Sequence, residues 1–332
     1  MAKLAVLGAG SWGTALAIAL AARFDVVALW ARDPARADEM QRVRENRRYL
    51  PGFALPSAIA VSGDMGASMA GSEVVLSVVP SRYLRAVMTS ARRHVPGDAA
   101  LVSATKGIEE GTFFRMSELM RDSLGGERTR RVAVLSGPTF AKEIAAGEPA
   151  AVVIAAEELP VAEEIQRAFA TPRLRFYTST DVIGVELGAA LKNVIAIGAG
   201  ICRGLGLGSN SVAALVTRGL AEITRLAVTM GGQERTLSGL AGLGDLVLTA
   251  TGDLSRNRFV GMRLGEGQKL PEILASMSMV AEGVETCRAA YHMGVSKNVD
   301  LPITSRMYEV LYEAKDPSQA IRELMERPLT SE

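Results

Sequence analysis

Lys192 lies in the run Glu186-Leu187-Gly188-Ala189-Ala190-Leu191-Lys192-Asn193-Val194-Ile195, an ammonium among apolar residues on a helical pattern. Desolvation disfavours a buried ammonium and brings the ordinary lysine pKa of about 10.4 down toward neutrality. That suits a group that gives a proton to a carbonyl being reduced. A core lysine that snorkels or pairs with Glu186 fits the same window equally well. Lys106, in Ser103-Ala104-Thr105-Lys106-Gly107-Ile108, follows an apolar run directly, where it would orient a carbonyl or a phosphate or stand as an ordinary loop lysine. Ser136-Gly137-Pro138-Thr139-Phe140-Ala141-Lys142-Glu143 also follows an apolar run. Gly137 permits close backbone approach there, and Thr139 is placed to cap a helix, which by itself accounts for the pattern. Farther on, Gly242-Leu243-Gly244-Asp245, Thr249-Ala250-Thr251 and Ser255-Arg256-Asn257-Arg258 gather a carboxylate, hydroxyls, an amide and guanidinium groups. A guanidinium binds phosphate bidentately, Ser255 and Asn257 add donors, and Asp245 would hold an ammonium in place. The alternative is a solvated polar loop.

Such groups need elements to position them, and the start of the chain supplies the clearest one. Gly8-Ala9-Gly10-Ser11-Trp12-Gly13 follows the apolar run Lys3 to Leu7 and opens a helical run from Thr14 to Arg23. In a strand, G-x-G-x-x-G, helix context, Gly8 allows the tight turn, Gly10 lets the backbone approach a pyrophosphate, and Gly13 lets the helix pack on its strand. The helix N-terminus adds N–H donors. A plain glycine-rich turn is the competing reading. The second strand ends Leu29-Trp30-Ala31-Arg32-Asp33. An acid at that end would take the ribose 2′-hydroxyl of NAD, but here it comes late, and Arg32 would pair with a 2′-phosphate. The sequence therefore leans to NADPH, or to tolerance of NADPH and NADH.

Short apolar runs alternate with amphipathic stretches from Lys3 to about Ile154, as when helices cover both faces of a mainly parallel, doubly wound α/β sheet. Strands are expected at Leu4 to Leu7, Val26 to Trp30, Val74 to Val79, Ala100 to Ser103, Val132 to Leu135 and Ala151 to Ile154, with a further one at Leu174 to Tyr177. Beyond Asp181 strand signals fade. Helices are expected at Val185 to Ile201, Val212 to Met230, Pro271 to Ser276, Val284 to His292 and Pro302 to Tyr312. A helix near Asp181 to Ile201 would carry its residues over the sheet's carboxyl edge, where ligands of open α/β sheets bind.

At 332 residues, length favours two domains. The 37 basic residues nearly cancel the 36 acidic ones, so no long-range field points to nucleic acid or an anionic membrane. Cys202 and Cys287 stand far apart without a ligand spacing, which fits a reducing compartment and no metal. The two histidines, His94 and His292, sit near neither a carboxylate-rich nor a glycine-rich motif, so packing or surface roles are expected of them. Lys3 to Ala22 looks superficially like a secretion signal, but Gly8, Gly10, Ser11, Gly13 and Thr14 interrupt it. Lys192 breaks the longest apolar run, so no membrane span is expected.

Taken together, Gly8 to Gly13, Ser136 to Glu143, Leu191-Lys192-Asn193, and Gly239-Leu240-Ala241-Gly242-Leu243-Gly244-Asp245 through Ser255-Arg256-Asn257 resemble NAD(P)-dependent glycerol-3-phosphate dehydrogenase of the bacterial type. The likeness covers nearly the whole chain, with four motifs in the family's order. It implies a Rossmann domain over residues 1–182 and an all-helical substrate and catalytic domain over 183–332, commonly as a cytoplasmic homodimer. It implies reversible conversion of dihydroxyacetone phosphate and sn-glycerol 3-phosphate with NADPH or NADH, feeding glycerophospholipid synthesis. The lysine matching Lys192 would exchange the proton. Lys106, Gly137, Thr139, Lys192, Asp245, Ser255, Arg256 and Asn257 would hold the substrate. Besides Gly8, Gly10 and Gly13, the positions Ser11, Trp12, Arg32, Tyr49, Lys106, Ala141, Arg256, Val280 and Glu282 would line the cofactor. Two other readings stay open: a related dehydrogenase of a hydroxy acid or hydroxyacyl substrate, and a nicotinamide-sensing protein without chemistry. The conjunction of Lys106, Lys192 and Asp245 speaks against the sensor, and Ser255-Arg256-Asn257 argues for a phosphate.

Overall fold

The computed structural model describes residues 2–125, 131–277 and 279–328. Its contacts divide the chain into two compact units, Met1–Lys106 with Phe114–Val185, and Gly107–Phe113 with Glu186–Glu332.

The first unit runs β1 Lys3–Leu7, α1 Ser11–Leu20, β2 Val26–Trp30, α2 Pro34–Val43, β3 Glu45–Asn46, β4 Leu50–Ala54, β5 Ile59–Ser62, α3 Met65–Met69 and β6 Val74–Ser77. It continues with α4 Ser81–Ala91, β7 Ala100–Ser103, α5 Met116–Leu124, β8 Val132–Ser136, α6 Ala141–Ala145, β9 Ala150–Ala156, α7 Leu159–Phe169 and β10 Leu174–Ser179. Eight strands form one sheet in the order β10-β9-β8-β7-β6-β1-β2-β5, and β3 and β4 form a separate hairpin. Side chains of a strand alternate between faces. Accordingly Leu4 and Val6 of β1 enter the apolar cluster that holds Ala15, Leu16 and Leu20 of α1, while Ala5 and Leu7 enter the one that holds Leu84 and Met88 of α4 and Leu119 and Met120 of α5. Both faces are covered, which is why these strands read as continuous apolar runs.

Several elements differ from the sequence expectation. The first helix begins at Ser11, not Thr14, with Gly10 as its N-cap, so the glycine motif runs into the helix itself. β6 stops at Ser77, two residues short of Val79. β9 pairs antiparallel with β8 inside an otherwise parallel sheet. The hairpin β3–β4 and the edge strand β5 carried no strand signal, since Pro51 and Gly52 interrupt the apolar pattern of β4.

All elements that follow are helical: α8 Val182–Gly204, α9 Ser209–Thr229, α10 Glu234–Leu237, a π-turn Leu240–Gly244, α11 Asp245–Thr251, α12 Arg256–Gly265, α13 Leu270–Ser276, α14 Glu282–Lys297, α15 Pro302–Tyr312 and α16 Pro317–Met325. The chain passes from the first unit to the second inside α8, whose most apolar window is 94% buried and which thus serves as a core helix. Glycine lets α12 cross α8 backbone to backbone: a Cβ on Gly261 would sit 1.9 Å from the Ile197 carbonyl, and one on Gly200 would sit 2.1 Å from the Arg258 carbonyl. Glu222 of α9 closes another contact, its buried carboxylate accepting from the Ile303 and Thr304 amides at 2.7 and 2.8 Å. α15 starts with Pro302 and has no side-chain cap of its own, so Glu222 satisfies its orphan N–H groups from another helix. Burial pushes the Glu222 carboxyl above the ordinary carboxylate range, although the Thr304 hydroxyl and the two amides oppose it.

Candidate active site

In the first unit the sequence-selected residues collect at the carboxyl ends of parallel strands. Gly8 follows β1, Arg32 follows β2, Lys106 follows β7 and Gly137 follows β8. Gly8 has φ +118°, where a Cβ would press on the Val78 carbonyl at 2.8 Å, and a Cβ on Gly13 would lie 1.9 Å from the Gly8 carbonyl. Nothing lies within 4 Å of a Cβ at Gly10. The motif thus has two glycines required by packing and one that leaves an open approach to the N-terminus of α1, the arrangement an incoming pyrophosphate needs. The Trp12 indole N–H beside it is buried with no hydrogen-bond partner among the described residues. Buried donors are seldom left unpaired, so this one is suited to an acceptor on a ligand or a water. Ser77, Ser103 and Ser136, the last residues of β6, β7 and β8, present three more buried hydroxyls in the same condition, a polar row that sequence reading passed over.

Lys106 stands three residues beyond the end of β7 and next to Thr105, whose hydroxyl donates to the Val79 carbonyl at 2.9 Å. Gly137 has φ +155°, and a Cβ there would meet the Val152 Cα at 2.9 Å. Thr139 is not a helix cap. Phe140 holds that position for α6, and the Thr139 hydroxyl turns back to the Gly137 carbonyl at 3.2 Å. Ala141 opens α6. Tyr49 sits at the tip of the β3–β4 hairpin, where its carbonyl accepts from the Ser11 hydroxyl at 2.5 Å.

In the second unit Lys192 and Asp245 meet across 53 residues of sequence. The Lys192 ammonium, 5% exposed, donates to Asp245 Oδ1 and to Thr249 Oγ1, the latter at 2.8 Å. Asp245 is wholly buried at the start of α11. One turn on, the Thr249 hydroxyl donates to the Asp245 carbonyl at 2.6 Å, which leaves its lone pairs toward the ammonium. The carboxylate and the hydroxyl together fix where the Lys192 amino group points.

Ser255-Arg256-Asn257-Arg258 is not a solvated loop but the first turn of α12. Ser255 is its N-cap and accepts from the Arg258 amide at 3.2 Å. Arg256 donates to the Val280 carbonyl at 2.7 Å, joining two of the expected residues. Glu282, two residues beyond Val280, opens α14. The Asn257 amide donates to Asn193 Oδ1 at 2.8 Å, while its own oxygen accepts from the Gly283 amide at 2.9 Å. That pair locks α8, α12 and the start of α14 beside Lys192. Asn193 and Thr249 lay within motifs read from the sequence but were given no role of their own there, although the first adjoins Lys192 and the second lies one helical turn after Asp245. Among the described residues no group of three or more His, Cys, Asp or Glu side chains could hold a metal ion.

A strand-ending glycine cradle with a helix N-terminus, in a chain that also carries a buried lysine–aspartate pair and a capped arginine-bearing helix, defines a nicotinamide-dinucleotide oxidoreductase. Family models agree: residues 3–162 match the N-terminal, and residues 181–322 the C-terminal, model of NAD-dependent glycerol-3-phosphate dehydrogenase. Glycerol-3-phosphate dehydrogenase [NAD(P)+] of Koribacter versatilis is 51% identical over 334 residues, covering 100% of this chain and 99% of the relative. The enzyme of that name from Geobacter sp. (strain M21) is also 51% identical, over 99% of this chain and 98% of its own. The crystal structure of glycerol-3-phosphate dehydrogenase from Coxiella burnetii superposes with a TM-score of 0.93 at 40% identity, over 98% of this chain and 99% of that one. The chain belongs to the NAD-dependent glycerol-3-phosphate dehydrogenase family.

Proposed function

We propose that this enzyme catalyses the reversible reduction of dihydroxyacetone phosphate to sn-glycerol 3-phosphate, with Lys192 as proton donor and acceptor. The single observation that carries the assignment is the buried Lys192–Asp245–Thr249 constellation. NADH or NADPH, when bound, supplies the hydride. Lys192 protonates the substrate oxygen, and Asp245 and Thr249 fix where the ammonium points and offset its desolvation. Arg256, together with Ser255 and Asn257 at the N-terminus of α12, receives the phosphate, where guanidinium and helix dipole both favour an anion. Lys106, Gly137 and Thr139 of the first unit also serve the substrate. Gly8, Gly10, Ser11, Trp12, Gly13, Arg32, Tyr49, Lys106 and Ala141, with Arg256, Val280 and Glu282, serve the cofactor.

On this reading residues 1–182 bind the dinucleotide and 183–332 bind and turn over the substrate. The product is the glycerol phosphate backbone of phospholipids. Cys202 and Cys287, both free and buried, support a reducing, cytoplasmic setting. A homodimer is the assembly we expect, and light scattering on the purified chain tests it. The test of the reaction is absorbance at the reduced-cofactor band as the protein meets dihydroxyacetone phosphate with NADPH and then with NADH. Rapid oxidation of either supports the reading, and oxidation of neither sinks it.

A further inference from the structure

We propose that Arg36, held over the ring of Tyr49, is a specificity determinant that makes this enzyme prefer NADP(H) to NAD(H), acting with Arg32. The proposal rests on the dehydrogenase reading. Selection between the two cofactors is made at the adenosine ribose, where a carboxylate at the end of the second strand accepts from the 2′-hydroxyl of NAD and a guanidinium takes the 2′-phosphate of NADP. Here β2 ends at Trp30 and Ala31 and Arg32 follow, so no carboxylate stands at that end. The first acid, Asp33, is already occupied: it is the N-cap of α2 and accepts from the Ala35 and Arg36 amides at 3.1 and 3.5 Å.

The same cap sets Arg36 in the first turn of α2, with its guanidinium carbon 4.5 Å from the centroid of the Tyr49 ring. Tyr49 is itself fixed to the glycine motif. Its carbonyl accepts from Ser11, its amide donates to Asn46 Oδ1 at 3.2 Å, and the Asn46 amide donates to the Ala9 carbonyl at 3.0 Å and the Thr14 hydroxyl at 2.8 Å. The hairpin is thereby latched to the turn that receives the pyrophosphate, and its tip carries the platform on which Arg36 lies. Arg48 lies over the same ring at 5.4 Å, and Arg32 lies over Tyr83 at 5.2 Å. Guanidinium groups stacked on aromatic faces lose less freedom when they close on a phosphate, and their fork matches two phosphate oxygens. Glu45, the nearest acid on the hairpin, is engaged with Arg47 and the Gly52 amide.

The experiment is calorimetric titration of the whole chain with NADPH, NADH, adenosine 2′,5′-bisphosphate and 5′-AMP, for the native protein and for Arg36→Ala, Arg36→Lys and Tyr49→Leu. The native protein is expected to bind the bisphosphate at least tenfold tighter than 5′-AMP. Arg36→Ala should lose about tenfold for the two ligands bearing a 2′-phosphate, the size of one charge-assisted hydrogen bond, with a much smaller change for NADH and 5′-AMP. Arg36→Lys, which keeps the charge without the fork, should fall between, and Tyr49→Leu should follow Arg36→Ala. Equal affinity of the native protein for bisphosphate and 5′-AMP overturns the proposal, as does an Arg36→Ala variant whose NADPH-to-NADH affinity ratio is unaltered. Binding of neither dinucleotide would overturn the dehydrogenase reading along with it.

Discussion

Replacing Lys192 with Ala removes the positive member of a buried pair and leaves Asp245, which has no exposed surface, without its ammonium. Breaking a buried ion pair from one side costs about 3–5 kcal/mol, because the surviving charge stays desolvated. For a domain of this size each kcal/mol lowers the melting temperature by roughly 2–4 °C, so the Lys192→Ala transition should fall by roughly 6–20 °C. Loss of turnover in that variant alone would not distinguish missing chemistry from a damaged fold. The double variant Lys192→Met with Asp245→Leu separates them, since apolar replacement of both partners at similar volume is often neutral or stabilising. Scanning calorimetry should show the double variant melting near the native protein and well above Lys192→Ala, while a coupled absorbance assay shows no turnover in either. A double variant that melts as low as the single one would refute the pairing argument. A double variant that turns over at the native rate would refute Lys192 as the proton donor.

Arg256→Ala should raise the KM for dihydroxyacetone phosphate by at least tenfold, since it removes a bidentate phosphate donor, and steady-state kinetics with an unchanged KM would exclude this arginine from the phosphate site. Gly261→Ala would drive a Cβ to 1.9 Å from the Ile197 carbonyl. Helices α8 and α12 must then separate, which should cost about 1–3 kcal/mol or more and loosen the Asn193–Asn257 bond, read as a lower melting temperature with a reduced kcat. Glu222 has its carboxyl raised by burial, so the folded protein holds that proton where the unfolded chain has lost it. Its contribution is therefore full below the unfolded carboxylate value of about 4.3 and declines as pH rises through the higher folded value. Melting curves across that range should show a decline in the native protein that is absent from Glu222→Gln, and parallel profiles would show that Glu222 does not titrate in this way.

The strands of the first unit were legible because burial on both faces leaves nothing but apolar residues in them, and the glycine motif was legible because its three glycines have local mechanical reasons. The direction of β9 was not legible: it runs back against β8, although β5 returns to β6 in the parallel sense through a shorter connection that also carries a five-residue helix, so linker length does not decide it. The helical unit was harder to read because glycine inside a helix signals weakness when judged locally. Gly200, Gly204, Gly261 and Gly265 reverse that meaning, since they are the points where α8 and α12 touch through their backbones. That contact brings Asn193 and Asn257 together. Lys192 and Asp245 were recognisable by residue type and neighbourhood, and Asp245 was expected to hold that ammonium, as it does; the pairing spans 53 residues, has no spacing signature, and takes its geometry from helix packing. The residues that sequence reading assigned were those whose chemistry is stated within one turn of chain. Asn193 and Thr249 stood in the sequence motifs without a role because what they do is defined by a partner on another helix, and the glycines that permit that approach are as much a part of the site as the side chains they bring together.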